Sequence, residues 1–139
     1  MYPYSDAEIE NRLKTNALSN GFNAWLSVEL LAAGNGQLES LIEIRPDMTQ
    51  HHGFVHGGIV GAFADNSCAW AAATVAGDVV TSSYTIQFLA PAVGDRLRAK
   101  AKTIKAGKRN ISVETQVFCE NNEGESKLVA IALASIANV

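Results

Sequence analysis

Apolar and polar positions sort this chain into a short run of elements. Ile9, Leu13 and Ala17 recur at helical intervals behind Ser5-Asp6-Ala7-Glu8, where Ser5 and Glu8 have capping-box spacing. A short amphipathic helix is therefore predicted over roughly residues 5 to 18, ended by Asn20-Gly21. Residues 24 to 33 read as a strand, Gly34-Asn35-Gly36 as a hairpin turn, and residues 38 to 45 as the partner strand. Pro46 breaks that strand, and residues 46 to 56 form a loop holding all three histidines.

An apolar run from Gly57 to Ala76 follows, too long for a strand, and reads as one buried helix ending near Gly77-Asp78. Three strand-like stretches come next, at 79 to 89, 95 to 105 and 110 to 120. In the second, Arg96, Arg98, Lys100 and Lys102 alternate with Leu97, Ala99, Ala101 and Thr103. In the third, Ile111, Val113, Thr115, Val117 and Cys119 alternate with Asn110, Ser112, Glu114, Gln116 and Glu120. A turn at Asn121-Asn122-Glu123-Gly124 leads to a last strand over 127 to 136. The basic face of one strand suits the acidic or polar face of the next, each with one solvated side. The expected architecture is α+β: five or six antiparallel strands wrapped around one long helix, in a single domain over residues 1–139.

Composition narrows the function classes. The chain is 47% hydrophobic and 18% charged, which fits a packed domain, and its net charge of −3 gives no broad basic field for nucleic acid or membrane. Cys68 and Cys119 both lie in apolar-patterned segments and read as buried thiols in a reducing compartment. No basic stretch followed by an apolar core opens the chain, so no leader is expected, and the cytoplasm is the expected location. Length alone would let residues 57–76 span a bilayer, but the central Asp65 and the many small residues favour a buried helix.

Asp65 is the one charge in that helix. A buried carboxylate costs several kcal/mol unless it is paired, hydrogen-bonded or protonated. It could serve chemistry, cap a loop or pair with a basic group of the sheet. Just ahead lie His56, Gly57 and Gly58. A helix beginning there presents unpaired N–H groups at its positive end, and glycine lets a partly negative oxygen approach closely. An oxyanion hole for an acyl carbonyl would look like this. The same glycines would also let the helix pack tightly on a sheet, and the local pattern does not choose. Asp65 lies nine positions after His56, about half a turn round and ~13 Å along the axis. One helix therefore cannot easily bring Asp65 and its own Gly57 to one small atom. If both act in one reaction, two subunits supply them.

The segment Gly53-Phe54-Val55-His56-Gly57-Gly58-Ile59-Val60-Gly61-Ala62-Phe63-Ala64-Asp65-Asn66 resembles the signature of the PaaI-type hotdog-fold acyl-CoA thioesterases. The resemblance continues through Thr81 to Pro91, with Phe88-Leu89-Ala90-Pro91-Ala92, and takes in Gly107-Lys108-Arg109. It implies a hotdog fold and a homodimer, usually paired into a homotetramer, with active sites shared between subunits. It also implies hydrolysis of a small aromatic (phenylacetyl-like) or medium-chain acyl-CoA. By the family's pattern Asp65 is general base or nucleophile, the Gly57 amide polarises the thioester carbonyl, and His56 helps position the substrate. Gly58 adds to substrate binding, and Thr81 takes the place of a family serine or threonine near the carboxylate. Many members carry Asn where this chain has Gln50, which keeps an amide at that position. No cofactor is implied, since coenzyme A belongs to the substrate and is the leaving group.

Other residues carry competing readings. Lys108 and Arg109, with Lys102 and Lys105, suit the phosphates of coenzyme A or an ordinary solvated strand face. His51, His52 and His56 lack a carboxylate or cysteine to complete a set, and Gly53 and Gly57 oppose a helix through them, so no metal site is expected. Cys68 lacks an adjacent base and reads as packing. Phe63, Trp70 and Phe88 read as core. Two rivals to hydrolysis are a hotdog-fold hydratase or dehydratase, which would leave the thioester intact, and a non-catalytic acyl-CoA-binding module.

Overall fold

The computed structural model describes residues 2–139. Helices α1 (Ala7–Asn16) and α2 (Gly21–Leu26) lead into β1 (Glu29–Gly34) and β2 (Gln37–Glu43). A 3₁₀ turn at Pro46–Met48 precedes the long α3 (Gly57–Ala76), and β3 (Val79–Phe88), β4 (Arg96–Ala106), β5 (Asn110–Glu120) and β6 (Ser126–Asn138) complete the chain. The six strands form one antiparallel sheet in the order β1-β2-β4-β5-β6-β3, and α3 packs on the sheet through all six strands. This is the hotdog arrangement: a curved sheet around a central helix.

Helix α3 has no single apolar stripe, because the sheet covers it on most sides. Phe63, Ala64, Cys68, Ala71 and Ala72 are fully buried, and the small residues let strands approach closely. At the helix N-terminal end Phe63 packs with Ile42, Met48, Leu97 and Val117; toward the other end Trp70 packs with Leu38, Ile111, Val113 and Ile136. Removing a buried side chain such as Phe63 costs about 3–5 kcal/mol in cores of this kind. Most polar side chains inside are answered, Thr103 Oγ1 being the buried exception among the described residues. Ser67 donates to the Phe63 carbonyl at 2.8 Å, and Thr74 accepts from the Gly36 N–H at 2.7 Å.

The alternation in β4 and β5 matches the sequence: Leu97, Ala99, Ala101, Ile111, Val113, Thr115, Val117 and Cys119 all face inward. On the outer face Arg98 sits between Glu120 at 2.7 Å and Glu39 at 2.6 Å, the charge complementarity expected of neighbouring strands. The hairpin turn is Asn35-Gly36, with φ of 50° and 77°, the left-handed pair that a two-residue turn requires.

Three expectations need correction. Residues 21–26 are helical, so the strand expected from residue 24 begins at Glu29. Trp25 has a strand-forming side chain, and six residues are too few to display a helical period. Asp6 caps α1, accepting from Glu8 and Ile9 N–H groups; Ser5 bonds Glu10 instead. Phe88 is not core: more than half of it is exposed, on the edge strand β3.

Candidate active site

Helix α3 begins where the loop leaves a short bridge between Thr49 and Val55. His56 is its N-cap, and its Nδ1 accepts from the Gly58 N–H at 2.8 Å. That bond occupies the Gly58 amide and leaves the neutral ring's proton on Nε2, facing out. The Gly57 N–H, by contrast, has no partner among the described residues. It is the free donor at the positive end of a 20-residue helix. Gly57 also lies close under the Phe88 ring: a Cβ there would stand 3.3 Å from Phe88 Cζ.

Beside Gly57 opens an apolar cleft of about 370 Å³ bounded by Phe54, Val60, Phe88, Leu89 and Val129, with Gln50 at its wall. The Gln50 side-chain oxygen Oε1 accepts from the His52 N–H, so the side chain folds back on its own loop with its amide nitrogen uncommitted among the described residues. His51 and His52 stack on one another 4.0 Å apart on the exposed loop.

Asp65 stands two turns further along α3. It is half-buried, and Oδ1 accepts from the Thr81 hydroxyl at 2.6 Å, which leaves the other carboxylate oxygen free among the described residues. Next to it Asn66 donates to Asn23 of α2 at 2.8 Å, a link hidden from the sequence because no helix reads there. Gly57, Gly61 and Asp65 are spaced i, i+4, i+8 and share one stripe of α3, opposite β3. Phe88 lies on Gly57, Tyr84 reaches Gly61, and Thr81 holds Asp65. Tyr84 is the contributor that sequence reading missed. Ser82 is a bulge that shifts the alternation of β3, and nothing in the residue pattern marks it.

The predicted residues thus fall into two groups on one chain. Gly57, Gly58, His56 and Gln50 gather at the start of α3, while Asp65 and Thr81 sit two turns away, ~12 Å along the axis. Lys108 and Arg109 occupy the β4–β5 turn beyond the far end of α3, where Asn138 donates to the Lys108 carbonyl at 2.7 Å. They do not approach Gly57 of their own chain. Cys68 is buried, and burial with the nearby Asp65 carboxylate pushes its thiol up to about 12, so it stays protonated and inert. A larger hollow of about 730 Å³ lies on the outer face of the sheet among Lys100, Glu114, Gln116, Ile131 and Leu133. Neither Asp65 nor the start of α3 lines it, so the smaller cleft is the candidate site.

The family model of the thioesterase superfamily matches residues 52–126, and the chain belongs to that superfamily. No curated protein matches it significantly. Among solved structures, a thioesterase family protein from Silicibacter pomeroyi is 24% identical, with a TM-score of 0.83 and 94% of each chain covered. The PaaI protein of the Escherichia coli phenylacetic acid degradation operon is 22% identical, with a TM-score of 0.82, covering 95% of this chain and 91% of that one. A mutant of the phenylacetic acid degradation protein PaaI from Thermus thermophilus is 27% identical, with a TM-score of 0.76, covering 86% of this chain and all of that one. The first two likenesses bear on the fold. No helix among the described residues is long and apolar enough to cross a membrane.

Proposed function

We propose that this protein is an acyl-CoA thioesterase whose active sites each combine two copies of the chain. The observation that carries the reading is the split along one stripe of α3. A half-buried carboxylate steadied by Thr81 and an unpartnered amide at Gly57 lie too far apart to share a carbonyl within one chain. Two antiparallel copies bring one subunit's Asp65 to the other's Gly57.

The chemistry follows from those groups. The thioester carbonyl oxygen lies at the Gly57 N–H, where the helix end stabilises the charge that develops on it. Asp65 acts as general base or nucleophile. Thr81 occupies one carboxylate oxygen, so the other is left to take a proton from water. Water's oxygen bonds to the carbonyl carbon, the C–S bond breaks, and the coenzyme A thiolate leaves and takes up the proton. Gln50 and the His56 Nε2–H stand ready to hold the carbonyl or the water. Lys108 and Arg109, distant from Gly57 in their own chain, meet the partner's end of α3 in an antiparallel pair and suit the phosphates of coenzyme A.

The apolar cleft beside Gly57 fits a small aromatic (phenylacetyl-like) or medium-chain acyl group. The names of the E. coli and Thermus proteins support the aromatic end of that range. A homotetramer would use the outer sheet face, where Ile104, Ile131 and Leu133 are exposed. Two buried unpaired cysteines suit a reducing cytoplasm.

Asp65→Asn is the test. It keeps the shape and the Thr81 contact but removes the base. Thiol release from an acyl-CoA panel is expected to fall by about 10²- to 10⁴-fold while the protein remains oligomeric. Undiminished release would sink the reading. Turnover without thiol release would instead indicate hydration of the acyl chain.

A further inference from the structure

Three side chains of β3 lie over the Gly57-Gly61-Asp65 stripe of α3, and two of them already have work there. Phe88 lies on Gly57, and Thr81 holds Asp65. The third, Tyr84, reaches Gly61, halfway between the carbonyl-binding amide and the carboxylate. A Cβ on Gly61 would stand 3.3 Å from the Tyr84 hydroxyl oxygen and 4.0 Å from its ring. A side chain at Gly61 would therefore push that hydroxyl aside.

Tyr84 is on this face because of the bulge. Thr81 and Tyr84 are three residues apart, so in an unbroken strand they would face opposite sides of the sheet. Thr81 pairs with Ile136 and Ser83 with Ser135, which leaves Ser82 out of the ladder and turns Thr81 and Tyr84 to the same face.

The Tyr84 hydroxyl has no hydrogen-bond partner among the described residues. In the shared site a second copy displaces bulk water from this stripe, and an enclosed phenol without a partner is unfavourable. Few groups can reach it. The Gly57 amide, one turn away, is the donor to the carbonyl. Asp65 lies one turn away in the other direction. Helical side chains lean toward the N-terminus, so the Asp65 carboxylate reaches back over the turn that holds Gly61. Cβ positions one turn apart are about 5–6 Å from each other. Tyr84 and Asp65 do not bond directly, since the carboxylate's one side-chain donor among the described residues is Thr81. Two oxygens bridged by one water stand about 4.5–5.5 Å apart, the separation that a helical turn sets.

The donors and acceptors also fit. Thr81 has given its one hydroxyl proton to Asp65 Oδ1 and has none left for a water. Tyr84 still has its proton, and the other oxygen of Asp65 still accepts.

We propose that the Tyr84 hydroxyl and the free oxygen of Asp65 hold the attacking water between them. The water accepts from Tyr84 and donates to Asp65, which leaves its second lone pair for the thioester carbon held at the partner's Gly57. As that lone pair forms the C–O bond, the proton passes to Asp65. The C–S bond then breaks, and the thiolate leaves and takes up the proton. Tyr84 keeps its own proton throughout; it is a positioning residue, and the water it holds gives Asp65 the role of general base. This assignment rests on the shared-site reading above and adds the residue that places its water.

Tyr84→Phe keeps the ring on Gly61 and removes only the oxygen. With phenylacetyl-CoA and octanoyl-CoA it should lower kcat for thiol release by about 10- to 100-fold and leave KM within about twofold. A role in packing alone would leave kcat where it is. The double variant with Asp65→Asn gives a second measurement. Groups that hold one water act as a unit, so once Asp65 is replaced, Tyr84→Phe should cost no more than about twofold. A wild-type kcat in Tyr84→Phe, a rise in KM alone, or the full product of the two losses in the double variant overturns the water-holding role. Failure of the thioesterase reading looks different: Asp65→Asn would then release thiol as fast as the wild type.

Discussion

The two edges of the sheet are finished in opposite ways. At β1 the chain covers its own edge: the Asp6 N–H donates to the Ala33 carbonyl at 3.0 Å, and the Ala33 N–H reaches the Glu10 carboxylate at 3.0 Å. Gly34 lies so close beneath Tyr4 that any side chain there would collide with the Tyr4 carbonyl. At β3 nothing among the described residues covers the edge, and Val80, Tyr84 and Phe88 are 56%, 41% and 55% exposed. Unprotected edges are a hazard that folded proteins blunt with charge, proline or a covering element. β1 has its cover, while β3 has none of these over ten residues. Such an edge, beside half of the proposed site, is where the shared-site reading would have a second copy pair.

The comparison breaks hardest at Tyr84. Tyr84→Pro removes an N–H aimed at the open side and leaves the β6 ladder intact. If two copies pair along that edge, the dimer by symmetry loses two bonds and keeps two carbonyls unpaired, at roughly 1–2 kcal/mol each. Dimer affinity should fall by about a hundredfold or more by analytical ultracentrifugation. Acyl-CoA hydrolysis should fall with the dimer fraction and, at high protein concentration, return only to the level of Tyr84→Phe. A variant that stays dimeric at the wild-type dissociation constant would mean the open edge of β3 is not the interface.

Why part of this was legible in the sequence, and part was not, comes down to the range of the interactions involved. The uncharged run from Gly57 to Ala76, flanked by glycines and broken only by Asp65, announces α3 to within a residue or two. The strict alternation of β4 and β5 places their inner faces because a strand's period is local. Asp65 stands out for the same reason, as one charge in an apolar helix. Its contact with Thr81, anticipated only through the family resemblance, depends on strand pairing 16 residues away. α2 is a single turn and a half whose stability comes from neighbours, including Asn23 bonded to Asn66. The Ser82 bulge is set by the β6 partner, so Tyr84 and Phe88 could not be placed from β3 alone.

A smaller effect should separate the covered edge from the open one. Glu10 accepts from the Ala33 N–H and from the Ser5 hydroxyl, so it ties α1 to the β1 edge. Glu10→Ala leaves that N–H without its partner and should lower stability by about 1–2 kcal/mol. Urea denaturation checks the loss, and the dimer dissociation constant should be unchanged because β3 is untouched. Weakened dimerisation in Glu10→Ala would show that the two edges are coupled and not independently finished.

The smallest predicted effect is a pH dependence at the covered edge. Burial pushes the Tyr4 phenol from 10.0 up to about 12, with the Glu39 carboxylate, Tyr2 and Glu10 acting in the same direction. A raised pKa means the folded chain holds the proton that the unfolded chain gives up. The stabilisation is complete below pH 10 and is lost as the pH rises toward 12. The thermal midpoint of the wild type should therefore decline across that window, and Tyr4→Phe, which cannot ionise, should decline less. The difference between the two curves isolates Tyr4 from other groups that titrate in alkali. Parallel melting curves for the wild type and Tyr4→Phe between pH 10 and 12 would show that the N-terminal segment does not hold that edge in solution.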